Sequence, residues 1–177
     1  MKAKLTLICL LSLAAGTRGL CQKAGSNYLE VTTVTKDIVA VDMYDPDCIH
    51  VVDGLITSYT DVVPQKELAH FEQAASKEKL AKLGFTGKQC VMVKSSADLD
   101  IENYVYRQVH SQVQQVGTQY KLPIAVNGRL ASTYAERRAQ LVSLKQEQIK
   151  KILFLDKAKA QAKYGDKVVF GLIEVTL

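Results

Sequence analysis

The side chains to try first for acid–base or metal chemistry are the three histidines. His50, His70 and His110 show no ligand spacing to one another or to the cysteines. His50 lies inside an apolar run and reads as a packing or surface residue of a strand. No G-x-S-x-G, H-E-x-x-H, Walker or G-x-G-x-x-G pattern occurs, so a nucleophile elbow, a zincin helix and a nucleotide-phosphate loop are not expected. Gly84 and Gly87 stand too close together to cradle a phosphate. Asp98, Asp100 and Glu102 form an acidic cluster that would hold Ca²⁺ only if other oxygens joined it. The simpler reading is a solvated helix start, where acids complement the helix dipole. Lys157, Lys159, Lys163 and Lys167 read as a solvated basic face. No catalytic group, cofactor or metal is expected, and the chain reads as not an enzyme. The alternative is a small secreted hydrolase whose site matches none of these patterns.

The first residues specify a compartment. Lys2 and Lys4 precede the uncharged run Leu5 to Ala15, and small residues follow at Gly16, Thr17 and Gly19. That order is a secretory signal peptide over residues 1–21. The run is too short for a membrane-spanning helix, which needs about 20 residues. Cleavage before Gln22 and cleavage after Gly19 both place small residues where a signal peptidase wants them. Cys21 raises a lipid anchor as a further alternative, although Leu20 before it is larger than lipid attachment prefers. No later stretch is long and apolar enough to span a membrane, so none is expected in the mature chain.

Export changes the charge balance. The chain carries 23 basic and 18 acidic residues, and cleavage before Gln22 removes Lys2, Lys4 and Arg18. The mature protein is then close to +2, which is no basis for a nucleic-acid partner. About 155 residues remain, enough for one ordinary domain or two very small ones. Of four cysteines, Cys48 and Cys90 stay well inside the mature chain. In an oxidising compartment they are a candidate disulfide; two buried thiols are the other reading.

The elements alternate along the chain. Ser26 to Asp42 reads as extended, Cys48 to Val52 as a short strand closed by Asp53-Gly54, and Leu55 to Val63 as another strand. Pro64 opens a helical stretch, with Leu68 to Gln73 either its continuation or an extended piece. Ser76 caps a short helix ending at Gly84, and Gln89 to Lys94 is a strand. Ile101 to Val116 has the three-and-four spacing of an amphipathic helix. Leu122 to Val126 is a strand closed by Asn127-Gly128. Tyr134 to Lys151 reads as helical, Ile152 to Leu155 as a buried strand, Ala158 to Lys163 as a helix closing at Tyr164-Gly165, and Phe170 to Leu177 as a strand. The fold class is α+β.

Two stretches follow one script. Each has a strand, an Asx-Gly turn, a helix, an apolar stretch, a short helix ending at Gly and a final strand introduced by Gly87 or Gly171. The Asx-Gly turns lie 74 residues apart. Such self-similarity points to duplication. The second stretch, PIAVNG, then QIKKILFLDKAKAQAKYG, then FGLIEVTL, resembles the plug domain of TonB-dependent outer-membrane receptors. Val126-Asn127-Gly128 matches its V-D-G turn, Ile149 to Lys157 its central strand, Tyr164-Gly165 its helix end, and Gly171 to Thr176 its last strand. Val52-Asp53-Gly54 repeats the turn, but the first copy has Leu83-Gly84 for Tyr-Gly and Cys90 to Val93 for the last strand.

The resemblance implies two small plug-like α/β units with short strands and short helices. Their expected boundaries are 22–96 with the N-terminal strand, 97–121 as a connecting helix, and 122–177. With no barrel following and no clear TonB-contacting box, it implies a freestanding plug-like module. Such a module is expected in the periplasm, at the outer membrane or secreted, binding an envelope protein or cell-surface component. In that script Cys48 and Cys90 enter two strands of one small sheet, where their ends could meet.

Overall fold

The computed structural model describes residues 45–177. The signal peptide, Cys21 and the extended segment expected over 26–42 lie outside the described residues. In the first half, Ile49–Val52 (β1) and Leu55–Thr57 (β2) form a hairpin in which Val52 faces Leu55. Asp53 and Gly54 both have positive φ, 49° and 80°, as a two-residue hairpin loop requires.

The strand expected as far as Val63 stops at Thr57, and Pro64 starts no helix. A single 3₁₀ turn, Gln65–Glu67, leads into Leu68–Ala74 (β3). One turn cannot nucleate an isolated helix, and the residues after it gain a full ladder against Val91–Ser96 (β4). Between β3 and β4 lies Lys77–Leu83 (α1). Ser76 Oγ caps it by accepting from Lys79 N, and Gly84 closes it in the left-handed region. The sheet order is β2-β1-β4-β3, with β1 parallel to β4 and β3 antiparallel to β4.

Asp100–Gln115 (α2) connects the halves. The second half begins with Ile124–Val126 (β5), and Asn127-Gly128 turns the chain at φ 50° and 75° into a one-residue bridge between Val126 and Arg129. The helix expected over 134–151 ends at Val142: Tyr134–Val142 (α3) is capped by Thr133, and Ser143 Oγ donates to Gln140 O at its end. The following residues turn and extend as Lys151–Leu155 (β6), because Ile152, Leu153 and Phe154 find ladder partners on Leu172–Thr176 (β7). Lys157–Tyr164 (α4), capped by Asp156, lies between them. The second sheet has the order β5-β7-β6, with β5 parallel to β7 and β6 antiparallel to β7.

Remove β2 and α3, and the halves share strand order, strand direction and register. Val52 pairs with Lys94 as Val126 pairs with Val175, and Phe71 with Lys94 as Ile152 with Val175. Asp53 N donates to Lys94 O as Asn127 N donates to Val175 O. The Asx side chains repeat as well: Ser96 N donates to Asp53 Oδ1 and Leu177 N to Asn127 Oδ1, both at 2.8 Å.

α1 and Phe85 cover one face of the first sheet through Leu80, Leu83, Val51, Val91 and Val93. α2 and α3 cover one face of the second through Val105, Val109, Leu141, Ile173 and Val175. The halves are tied edge to edge. Ile56 N donates to Lys167 O, Val169 N donates to Gly54 O, and Leu55 bridges Val168. Leu55 thereby joins Leu155, Ala160, Val168 and Leu172 in a cluster under α4.

The two Asx-Gly glycines differ in what surrounds them. A Cβ on Gly54 would lie 2.6 Å from Lys121 O and 2.8 Å from the Pro123 ring, whereas one on Gly128 would meet nothing within 4 Å. Both residues carry the positive-φ penalty of about 1 kcal/mol for a side chain. Gly128→Ala is therefore expected to cost about 1 kcal/mol and Gly54→Ala about 3 kcal/mol or more, since the backbone at Lys121–Pro123 must move. Urea denaturation of the two variants checks this; equal losses would mean that the close approach at Gly54 carries no cost.

Candidate functional site

The unusual feature of this chain is a seam of buried charge where the halves meet. It starts at the Asp53 turn. Asp53 is buried, and its carboxylate accepts from Ser96 N at 2.8 Å and from Ser96 Oγ at 3.0 Å. Lys121, on the segment between α2 and β5, is brought over the same serine. Its ammonium donates to Ser96 O and Ser96 Oγ, at 3.2 and 3.0 Å, and pairs with Asp98 at 3.0 Å and Glu102 at 2.9 Å. Lys121 and Glu102 side chains are 6% and 4% exposed, which makes this a buried ion pair. The expectation of a solvated acidic helix start is corrected here. Asp100 is exposed, but Glu102 turns inward, caps α2 by accepting from Leu99 N, and holds Lys121. The lysine comes from 19 residues further on and from no local pattern.

α3 extends the seam. Arg138 donates to Ala97 O at 2.7 Å and reaches Glu102 and Glu67 at 3.5 and 3.6 Å. Tyr134 OH donates to Glu67 Oε2, and Tyr134 N to Asp61 Oδ1. Arg137, buried, donates to Ser132 O and Val52 O and lies 3.7 Å from Asp61. Its Nε and Asp61 Oδ2 are buried without a hydrogen bond among the described residues. Burial pushes the Glu102 carboxyl up from the ordinary value, against the pull of Lys121. Burial, then the hydrogen bond to Glu67, raise the Tyr134 hydroxyl well above its usual range.

A serine between a lysine and an aspartate is a constellation that Ser–Lys hydrolases also use. Here Ser96 Oγ donates to Asp53, and Lys121 Nζ donates to the same hydroxyl while pairing with Asp98 and Glu102. A general base needs a free lone pair at that position. The arrangement does the work of a clamp: it fixes the end of β4, the start of α2 and the entry to β5 around one cation. An open groove of about 610 Å³ lies beside it, lined by His70, Ser95, Asp98, Tyr106, Tyr120 and Lys121 among others.

The other residues singled out in the sequence are spread over the fold. Cys48 and Cys90 are disulfide-bonded, with Cα atoms 4.7 Å apart, at the starts of the parallel strands β1 and β4. Gly84 ends α1 with Lys157 Nζ above it, and Gly87 lies in an exposed turn. Asn127 and Gly128 are exposed, unlike Asp53 and Gly54. Tyr164 and Gly165 end α4, where Tyr164 OH and Lys163 both donate to Glu174. Gly171 packs against Leu155 O and the Phe154 ring. Of the lysines read as a solvated face, Lys163 is thus paired with Glu174 of β7, and Lys159 pairs with Asp156.

His70 and His110 are exposed. His50 is buried; its Nε2 lies 2.6 Å from Asp45 O and its Nδ1 3.2 Å from Lys94 Nζ. Among the described residues no three His, Cys, Asp or Glu are placed to hold a metal ion, and no helix is long and apolar enough to cross a membrane. Sequence reasoning missed Lys94, Lys121, Arg137 and Arg138. The one signal available was that Lys94 interrupts an apolar strand. No protein-family model matches this chain, and neither a curated protein nor a solved structure matches it.

Two expectations follow from the charges. Lys121→Met leaves Asp98 without its lysine and Glu102 with only the longer contact to Arg138, and removing one partner of a buried pair costs about 3–5 kcal/mol. Adding Glu102→Gln to that variant should recover part of the loss; a double variant no more stable than Lys121→Met, by urea denaturation, would refute the pairing.

Lys94 is fully buried, and burial lowers its pKa to about 8 against the attraction of Asp61. Between about 8 and the ordinary 10.5 the unfolded chain holds the extra proton, so this group's contribution to stability grows with pH. It is complete above the unfolded value and lost as pH falls through the native one. The stability of the parent relative to Lys94→Met should therefore rise by roughly 2–3 kcal/mol between about pH 7 and pH 10. A difference that does not change with pH would contradict it.

Proposed function

We propose that this chain is an exported, non-catalytic interaction module of the cell envelope, built from two plug-like halves that present a shared surface to an envelope protein or cell-surface component. The observation that carries this reading is the repetition of one backbone arrangement. Strand order, direction, register and the Asx side-chain lock all recur. A repeated scaffold supplies edges and faces in duplicate, which suits recognition, whereas a reacting centre needs convergent groups left free to act. The polar groups that do converge, around Lys121 and Ser96, are spent on one another.

The signal-peptide pattern and the Cys48–Cys90 bond support an oxidising, exported location. Exposed apolar side chains at Tyr59, Val62, Val142 and Leu153 offer contact points on several sides of the chain. Cell fractionation of the tagged chain, with photo-crosslinking residues at these four positions, tests the reading. The expected result is chain in the envelope or secreted fraction, with at least one discrete adduct. Chain retained in the cytoplasm, or no adduct from any position, would sink it.

A further inference from the structure

The first half already contains one example of how this scaffold binds an extended segment. The outer edge of its Asx-Gly hairpin is occupied by Lys167–Val169: Val169 N donates to Gly54 O at 3.0 Å, Ile56 N donates to Lys167 O at 2.8 Å, and Leu55 stands opposite Val168. The shared register makes Gly128, Arg129 and Leu130 the counterparts of Gly54, Leu55 and Ile56. There the same edge is open. Gly128 and Arg129 are exposed and Leu130 is half-buried. Among the described residues neither Gly128 O nor Leu130 N has a hydrogen-bond partner.

From this we infer that the hairpin edge at Gly128–Leu130 is a strand-addition site for an extended segment of a partner protein carrying an acidic side chain opposite Arg129. The site rests on the interaction-module reading and gives that module's partner a chemistry. Backbone groups at an open edge supply the affinity of strand addition, and the side chains beside them supply selectivity. In the occupied hairpin the facing pair is Leu55 with Val168, both buried and apolar. In the open one an arginine replaces the leucine, and a carboxylate is the complementary group for its guanidinium.

A second copy of this chain is the wrong occupant on charge. The segment corresponding to Lys167–Val169 is Thr86–Lys88, which would set Gly87 opposite Arg129 and offer it no carboxylate. The contact between the halves is heterologous, and a heterologous contact left open at both ends propagates into filaments unless something blocks it. A glycine opposite Arg129 leaves that contact without its charge partner.

The probe is a nine-residue peptide with the sequence of residues 164–172 in which glutamate replaces Val168, added to the full exported chain after purification. Binding is read by fluorescence anisotropy and its place by amide hydrogen exchange. The expected result is saturable binding with slowed exchange at Leu130, at least tenfold tighter than for the peptide retaining valine. Arg129→Glu should weaken it at least tenfold, and a peptide with lysine at the same position should restore binding to that variant, which an unfolded variant could not show. The proposal is overturned by no saturable binding, by equal binding of the valine peptide, by protection along β3 or β6 instead of Leu130, or by head-to-tail oligomers of the chain alone. Because the assay uses purified chain, its failure leaves the envelope location and crosslinked adducts to be judged separately.

Discussion

An aspartate or asparagine side chain at positive φ, accepting the N–H two residues past the paired position on the neighbouring strand, sets the geometry of each half. Its importance comes from how short the parallel pairs are. β1 and β4 share four paired positions, and β5 and β7 share three. Parallel ladders are slightly weaker per residue than antiparallel ones and cannot be closed by a tight turn. The Asx lock closes one end of each pair from within the sheet, through Asp53 with Ser96 and Asn127 with Leu177. In the first half the disulfide closes the other end, so β1 and β4 are tied at both ends. A bridge across 42 residues contributes about 4 kcal/mol in the loop-entropy description, a large share for a sheet of this size.

The two halves put the same lock in different surroundings, and the rest of the chain follows from that difference. In the second half the turn is at the surface and an amide suffices. In the first it lies under the segment leading to β5, and a buried carboxyl group there needs hydrogen-bond donors. Ser96 supplies two hydrogen bonds, and Lys121, held on the same serine, recruits Asp98 and Glu102. Arg138, Glu67 and Tyr134 complete a chain of contacts that fastens α3 to the first half. Such a network contributes little net stability over an apolar interface, but it penalises any arrangement in which one member lacks its partner.

Much of the local structure is legible in the sequence because its causes are local. Asx-Gly pairs mark both turns, since they tolerate positive φ at adjacent positions. Ser76 and Gly84 delimit α1, because a cap and a left-handed terminus are made by the residues themselves. The same local logic errs where a distant strand competes. The residues after Pro64 and after Val142 carry helical signals, yet β4 and β7 draw them into strands through ladder bonds that no window of local sequence contains.

The sequence by itself determined the α+β class, the positions of both turns, the starts of α1 to α4 to within one residue, and the recurrence of one script in two stretches. It also placed Cys48 and Cys90 at the entries of strands belonging to one half. Whether those cysteines bond, which face Glu102 takes, and what surrounds each Asx-Gly pair were decided only by tertiary structure. The seam draws on residues near 53, 67, 96–102, 121 and 137, and a charge that looks solvated in its own helix becomes buried when a lysine from another segment arrives beside it. Periodicity and capping report on interactions within a few residues. Burial and charge pairing depend on which segments meet, and among the described residues that is fixed by the joint packing of two sheets, four helices and the edge contact between Leu55 and Val168.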